Sequence, residues 1–509
     1  MDMTVARENI EAQRVVNIKP ALITVEAEAA LPGSLREKAE VYIADADAYI
    51  LGGEAAGGRV TADGRVSFHA VYAQGDMRRL LGLDAVKSFS QTLTAQGETK
   101  GEAAEINLTA QVQQVSTRVF NGRLLFSATV QVSGQALFSE NESVLSAIDD
   151  APGIQTQHAA VKSVHAVGRG ETEGLIQKEL PLPENTRIAE SLFGTASAQV
   201  EDITGGADGK LGISGTIRLT VYHAGKEGGK PLCLTRHEFP FEQSVILSGA
   251  LGDSVRASAA VYDVAVALKE GADAPILRTE VLVHTKAASY SEAEKTLLTD
   301  LYGTGEQQAE AVLATLPTTR EIREISAAES GKTQITLPEG SPRMGEPLAA
   351  LARPILLDAR RTNDRLTAEG ALLYTLIYLP DGGEVPVSIS AEEPFSVSFK
   401  VNAEPGDTLR LTAHDVEMTA LTGDRAEVKY ILRLSGTGFA QDQGEYATDI
   451  VIKENGARPA GIDLYFVQPE ETLWALGKRT RTAADTLRDM NPQLGTPPTE
   501  GEVVMIYQA

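Results

Sequence analysis

Apolar and polar positions alternate with a period of two along most of this chain. The runs Val66-Ser-Phe-His-Ala-Val-Tyr72, Ile217-Arg-Leu-Thr-Val-Tyr222 and Leu372-Leu-Tyr-Thr-Leu-Ile-Tyr378 show it, as do Leu124 to Val132 and Ala426 to Leu434. That period gives a strand one set of side chains on each face. The pairs Asp63-Gly64, Asn121-Gly122, Asp208-Gly209 and Gly423-Asp424 punctuate the runs as turns. The expected fold is mainly β with short helices, in antiparallel sheets. Three stretches read differently: 139–149, 291–301 and 306–316 carry Ser or Glu at their starts, which suits a helix N-terminus and predicts connecting helices.

A separate pattern closes the chain. Tyr465 and Val467 share a strand face, and Leu473, Trp474, Leu476 and Gly477 form a helical stripe. Thr482 and Asp485 have capping-box spacing, Leu487 and Met490 face inward, and Asn491-Pro492 stops the helix. Val503, Met505 and Tyr507 alternate as a last strand. The prediction for 461–509 is strand, helix, helix, strand.

At Val467-Gln-Pro, Thr472-Leu-Trp and Met490-Asn-Pro-Gln-Leu, over Asp463 to Tyr507, the chain resembles the LysM family of small βααβ domains. In members that bind N-acetylglucosamine polymers, the groove corresponds to Pro469, Glu470, Glu471, Thr472 and Leu473 together with Asn491, Pro492, Gln493 and Leu494. Glu470-Glu471 stands where the family has Gly-Asp, and Glu caps a helix poorly. Trp474 reads either as core or as an anchor for a partner. Lys478, Arg479, Arg481 and Arg488 read either as cations suited to helix ends or as a docking face for an acidic partner.

The rest of the chain is self-similar. Leu-Pro occurs at Leu31, Leu182 and Leu337, with the prolines 151 and 155 residues apart. Gly64, Gly215 and Gly370 keep the same intervals, and Phe89, Phe241 and Phe395 keep 152 and 154. Gly252-Asp-Ser-Val-Arg256 matches Gly406-Asp-Thr-Leu-Arg410, while the first copy has Glu105-Ile-Asn-Leu108 there. A period sustained by several landmarks predicts three tandem sandwich-like units, at 1–150, 151–318 and 319–455, the first two with trailing helices. A linker over 453–461 leads to the last module.

On Glu369-Gly370 to Tyr378, Glu393-Pro-Phe395 and Gly406 to Arg410, these units resemble the SPOCS domain of spore-coat-associated proteins. Tandem SPOCS-type domains followed by one LysM module are similar to SipL-type coat morphogenetic proteins. That resemblance implies a non-enzymatic scaffold in the mother-cell cytoplasm at the forespore surface. It also implies that the LysM module contacts a SpoIVA-like sporulation ATPase, with other coat proteins as further partners. The competing reading is a peptidoglycan or N-acetylglucosamine-polymer binder.

Composition narrows the classes further. A net charge of −24 disfavours nucleic acid and anionic membranes. The single cysteine, Cys233, excludes an intrachain disulfide framework. The first residues are polar, with no apolar signal segment expected, and no apolar run reaches membrane-spanning length. The seven histidines are scattered. Cys233 and His237, four apart, offer at most two metal ligands. Gly168 to Gly174 fails the dinucleotide spacing, and Gly225 to Lys230 reads as a hairpin turn, with Pro231 where a phosphate loop has Ser or Thr. No catalytic constellation, cofactor or metal is expected. Exposed strand edges suit self-association or partner binding.

Overall fold

The structure, a computed structural model, describes residues 4–32, 39–74, 79–149, 151, 153–183, 187–206, 208–269, 275–304, 307–454 and 461–508. It is mainly β, in several antiparallel sheets, with two short helices among the described residues. No helix among them is long and apolar enough to cross a membrane.

The first unit comprises β1 (Thr4–Ala30), β2 (Ala39–Ala56), β3 (Arg59–Gln74), β4 (Leu80–Gln96), β5 (Glu102–Phe120) and β6 (Arg123–Asp149). The second comprises β7 (Ile154–Pro181), β8 (Ile188–Gly205), β9 (Lys210–Gly225), β10 (Leu232–Ile246), the two-residue β11 (Ser248–Gly249), β12 (Ser254–Lys269) and β13 (Ile276–Gly303). The third comprises β14 (Gln307–Thr336), β15 (Met344–Thr362), β16 (Arg365–Pro380), β17 (Val387–Lys400), β18 (Thr408–Thr422) and β19 (Arg425–Glu454). One pairing scheme serves all three. The long first and last strands run antiparallel (β1–β6, β7–β13, β14–β19), and the penultimate strand pairs with the last. The strands between form a three-stranded meander.

The alternating runs supply the cores. Val66, Phe68, Leu124 and Phe126 are buried in the first unit, Ile217, Leu219 and Val221 in the second, and Leu372, Tyr374, Leu432 and Leu434 in the third. The glycine and phenylalanine landmarks turn out to be ladder partners: Gly64 faces Phe89, Gly215 faces Phe241 and Gly370 faces Phe395. On the glycine's other side the neighbouring strand carries a register shift, at Ile50/Gly52, Val200/Asp202 and Leu356/Asp358. A glycine lets a bulged backbone and an aromatic ring approach the same spot. Asp63-Gly64 is therefore mid-strand in β3 and not a turn. Asn121-Gly122 does turn, with both residues at positive φ.

The three connecting helices are replaced by strand. Residues 139–149 lie in β6, 291–301 in β13 and 307–316 in β14; Glu306 is outside the described residues. Here the long strand pairs run beyond their units as two-stranded ribbons that pack together. Val144, Leu297 and Tyr446 are buried with Ile10, Val161 and Leu316 on one side. Leu145, Leu298 and Ala447 are buried on the other, with Leu301 and Ala309. Where the ribbons meet, at Val144-Leu145, Leu297-Leu298 and Tyr446-Ala447, both faces are covered, so adjacent residues are buried and the period-two signal is broken. The linker expected over 453–461 begins within β19, and its stretch 455–460 lies outside the described residues.

Beyond the ribbons come β20 (Gly461–Phe466), α1 (Leu473–Thr480), α2 (Ala484–Met490) and β21 (Val503–Gln508), with β20 antiparallel to β21. Val467, Leu476, Leu487, Val504 and Ile506 form this module's own core.

Candidate functional site

The candidate residues all lie in or beside the terminal module. Its first loop is shaped by Glu471. The Glu471 backbone N–H donates to Gln468 O, and its carboxylate accepts from the Gln468 N–H at 2.9 Å. The same carboxylate, 7% exposed, takes two hydrogen bonds from Arg479, at 2.7 and 2.8 Å. Burial raises the Glu471 pKa, but Arg479 and the Gln468 N–H outweigh it and hold the carboxyl below its usual range. Glu470 takes a positive φ, which closes the turn. The cap of α1 is Thr472, whose hydroxyl accepts from the Ala475 N–H. The helix is therefore capped without an Asp in this loop, by the residue after Glu471. The expected capping box at Thr482 is absent: α2 starts at Ala484 with no side-chain cap, and the Thr482 hydroxyl donates to Thr480 O.

The second loop is tied inward as well. Asn491 is buried and bridges α2 to β21. Its amide donates to Leu487 O and Met505 O, and its carbonyl accepts from the Met505 N–H at 2.7 Å. Leu494 and Leu473 pack on the core. Pro469, Glu470, Thr472, Pro492 and Gln493 remain exposed. Of the residues that would line a sugar groove, Glu471 and Asn491 thus spend their polar groups internally.

Trp474 sits neither in the module's core nor free in solvent. It packs edge-on against Tyr302 of β13, with ring centroids 4.8 Å apart, and its indole N–H donates to Asp300 at 2.8 Å. Lys478 bonds the same carboxylate at 2.6 and 2.9 Å. The Tyr302 hydroxyl donates to Thr482 O. Gly477 permits this approach, since a Cβ there would lie 2.9 Å from Thr482 O and 3.1 Å from Tyr302 Cζ. The basic group is consequently dispersed. Lys478 goes to Asp300, Arg479 to Glu471 and over the Tyr465 ring, and Arg481 adopts the left-handed C-cap conformation of α1. Asp300 and Tyr302 carried no signal in the sequence.

The other face of the module carries a row of exposed apolar residues. Register places Ile462 opposite Tyr507, Leu464 opposite Met505 and Phe466 opposite Val503. Ile462, Leu464 and Phe466 are 61, 59 and 56% exposed, and Val503 and Tyr507 are 43 and 51% exposed. The last strand buries Val504 and Ile506, so the alternating set Val503, Met505 and Tyr507 looks outward from the core.

No family model, curated protein or solved structure matches the chain.

Cys233 and His237 do not converge. They are four residues apart on one strand, roughly 13 Å, with the Cys233 thiol against His223 O and His237 bonded to Thr235. No group of three or more His, Cys, Asp or Glu suited to a metal occurs among the described residues. Gly168 to Gly174 is mid-strand in β7, paired with β13, and Lys226 to Gly229 forms the β9–β10 turn.

Proposed function

We propose that this chain is a non-enzymatic scaffold of bacterial spore coat assembly, working in the mother-cell cytoplasm at the forespore surface. Its three units are diverged copies of a SPOCS-like domain, and residues 461–509 are a LysM-like module that docks it to a SpoIVA-like ATPase. The observation that carries the docking reading is the outward face of the β20–β21 sheet. Single exposed apolar residues are ordinary on protein surfaces, whereas five on one face of a two-stranded sheet mark a surface that another protein covers. Ile462, Leu464 and Val503, with the rings of Phe466 and Tyr507, offer shape and apolar area to a protein. They offer a sugar few of the hydrogen bonds it needs. The inward use of Glu471 and Asn491 favours the same choice over the N-acetylglucosamine-polymer reading. Within this account Trp474 is the hinge pin that fixes the module's orientation on β13, leaving the apolar face outward.

The scaffold body follows from the long strand pairs. Three units joined through shared ribbons hold fixed relative positions, as a platform for further coat proteins requires. A pull-down from sporulating cells with the full chain and with a chain lacking residues 461–509 tests the assignment. The expected result is loss of the ATPase partner on deletion. Unchanged coat partners together with lost binding to purified peptidoglycan would establish the glycan reading instead.

A further inference from the structure

The three units border a half-open cavity of about 1690 Å³, lined by strands from all three. Small-molecule sites commonly span roughly 300–1,000 Å³, so this space admits a ligand together with water. Its walls differ in charge. The first unit contributes Asp45, Asp47 and Glu105 but no Lys or Arg. The third contributes four arginines, two of which are neutralised: Arg323 by Asp407 at 2.8 Å, and Arg353 by Asp45. On the second unit's wall, Arg218 bonds Glu238 and Arg236 bonds Glu417.

Of the third unit's four, Arg410 and Arg433 are left, while Arg256 of the second unit lies over the Tyr290 ring. Neither has an ion-pair or hydrogen-bond partner for its side chain among the described residues. Both lie on the same face of the β18–β19 ladder. Arg433 stands directly opposite Thr412, and Arg410 is two residues before Thr412 on β18. The Thr412 hydroxyl is 2.9 Å from His414 Nε2 on that face. The cations crowd one another. Burial and then Arg218 push the Arg433 pKa down. Burial, followed by Arg433 and with Arg410 and Arg218 adding, holds His414 near 4 against the opposing pull of Asp415. Asp415 itself faces Arg236 at 3.8 Å. Asp47 acts on Arg410 and Asp415 on Arg433 from beyond ion-pair distance, so both half-buried guanidinium groups keep unmet donors, which an oxyanion between them satisfies.

We propose that Arg410 and Arg433, with the Thr412 hydroxyl, bind a small phosphate- or carboxylate-bearing ligand inside the central cavity. Arginine suits the task because its planar fork meets two oxygens at once. The assignment is independent of the terminal module's role.

Calorimetric titration of the full chain with inorganic phosphate, and separately with citrate, at constant ionic strength tests it. One saturable site is expected for at least one of them, and the responding probe identifies the group. Arg410→Gln and Arg433→Gln should each weaken Kd by about tenfold or more, and Arg433→Lys by less, since it keeps the charge but not the fork. No saturable binding by the unaltered chain, or the same Kd in the double Gln variant, overturns the proposal. Should the double variant not fold, Thr412→Val and Arg433→Lys decide: a Kd unchanged in both overturns it equally.

Discussion

Phe395 lies directly across the ladder from Gly370, with its ring edge 3.0 Å from where a Cβ on that glycine would stand. Phe241 stands at 2.8 Å from the corresponding point on Gly215, and at Gly64 a Cβ would also meet Tyr49 O at 2.7 Å. Each unit thus uses one glycine to bring a bulged neighbour strand and a phenylalanine together. Gly370→Ala is expected to destabilise by about 1–3 kcal/mol through overpacking. Gly215→Ala should do the same, because the bulge leaves the backbone nowhere to move. Urea unfolding monitored by circular dichroism reads both. A neutral result at both positions would contradict the geometry.

Leu297 and Leu298 are adjacent in sequence and both fully buried, on opposite faces of one ribbon. Each Leu→Ala change leaves a cavity and should cost about 2–5 kcal/mol. Exposed Glu294, four residues before Leu298 and in the same alternation, should tolerate Ala within roughly 0.5 kcal/mol. Denaturant midpoints compare the three. A connecting helix with one buried face would spare one of the two leucines.

These leucines also show where sequence reading stops. Alternation identified the strands of the unit bodies because each of those strands has one buried face and one exposed face. The glycine and phenylalanine landmarks were visible as a period because each unit needs the same contact. The ribbons hid their strands because, around 144–145, 297–298 and 446–447, both faces are covered by another unit, which no local pattern reports. The terminal loop was readable in outline. The fold-back of Glu471 onto Arg479 joins residues eight apart across a helix, and the Trp474–Asp300 contact joins residues 174 apart. Neither leaves a spacing signature.

His223 and His414 contribute to the acid side of the stability profile, alongside His237 and His284, which burial also lowers. The first two are held near 4, against an ordinary 6.5, chiefly by burial. Neutral His223 is bonded through both ring nitrogens, to Ser191 at 3.1 Å and Thr235 at 2.8 Å. Between 6.5 and 4 the unfolded chain binds protons that the folded chain refuses. Stability is therefore full above about 6.5 and falls with pH across that window, on the order of 3 kcal/mol per histidine. His69 runs the other way. Burial lowers it, but Asp84 at 2.8 Å, with Asp47 and Asp45, more than offsets this and raises it, so its contribution is lost as pH rises. Unfolding free energies at pH about 7.5 and about 5 should show the net decrease, and His223→Gln with His414→Gln should flatten it. Equal slopes in the variant and the unaltered chain would count against the assignment.

Asp300 receives both the Trp474 indole and Lys478. Asp300→Ala removes both partners, and the module should then dissociate from β13 while its own core stays intact. Trp474 is the only tryptophan, so its emission reports this junction alone. A shift to longer wavelength is expected. Emission identical to that of the unaltered chain would mean the junction does not depend on this carboxylate. The Lys478 pair alone, half exposed, contributes about 1 kcal/mol or less.

The most direct measurement is the affinity of the full chain for a purified SpoIVA-like ATPase, before and after Leu464→Glu. Leu464 is exposed on the outward face of β20, so a charge there leaves the module's core and the Trp474 emission unchanged. The account predicts a loss of affinity on the order of 100-fold, because an unpaired carboxylate would be buried in an apolar contact. An unchanged affinity, or no binding by the unaltered chain alongside saturable binding of N-acetylglucosamine oligomers, would contradict it.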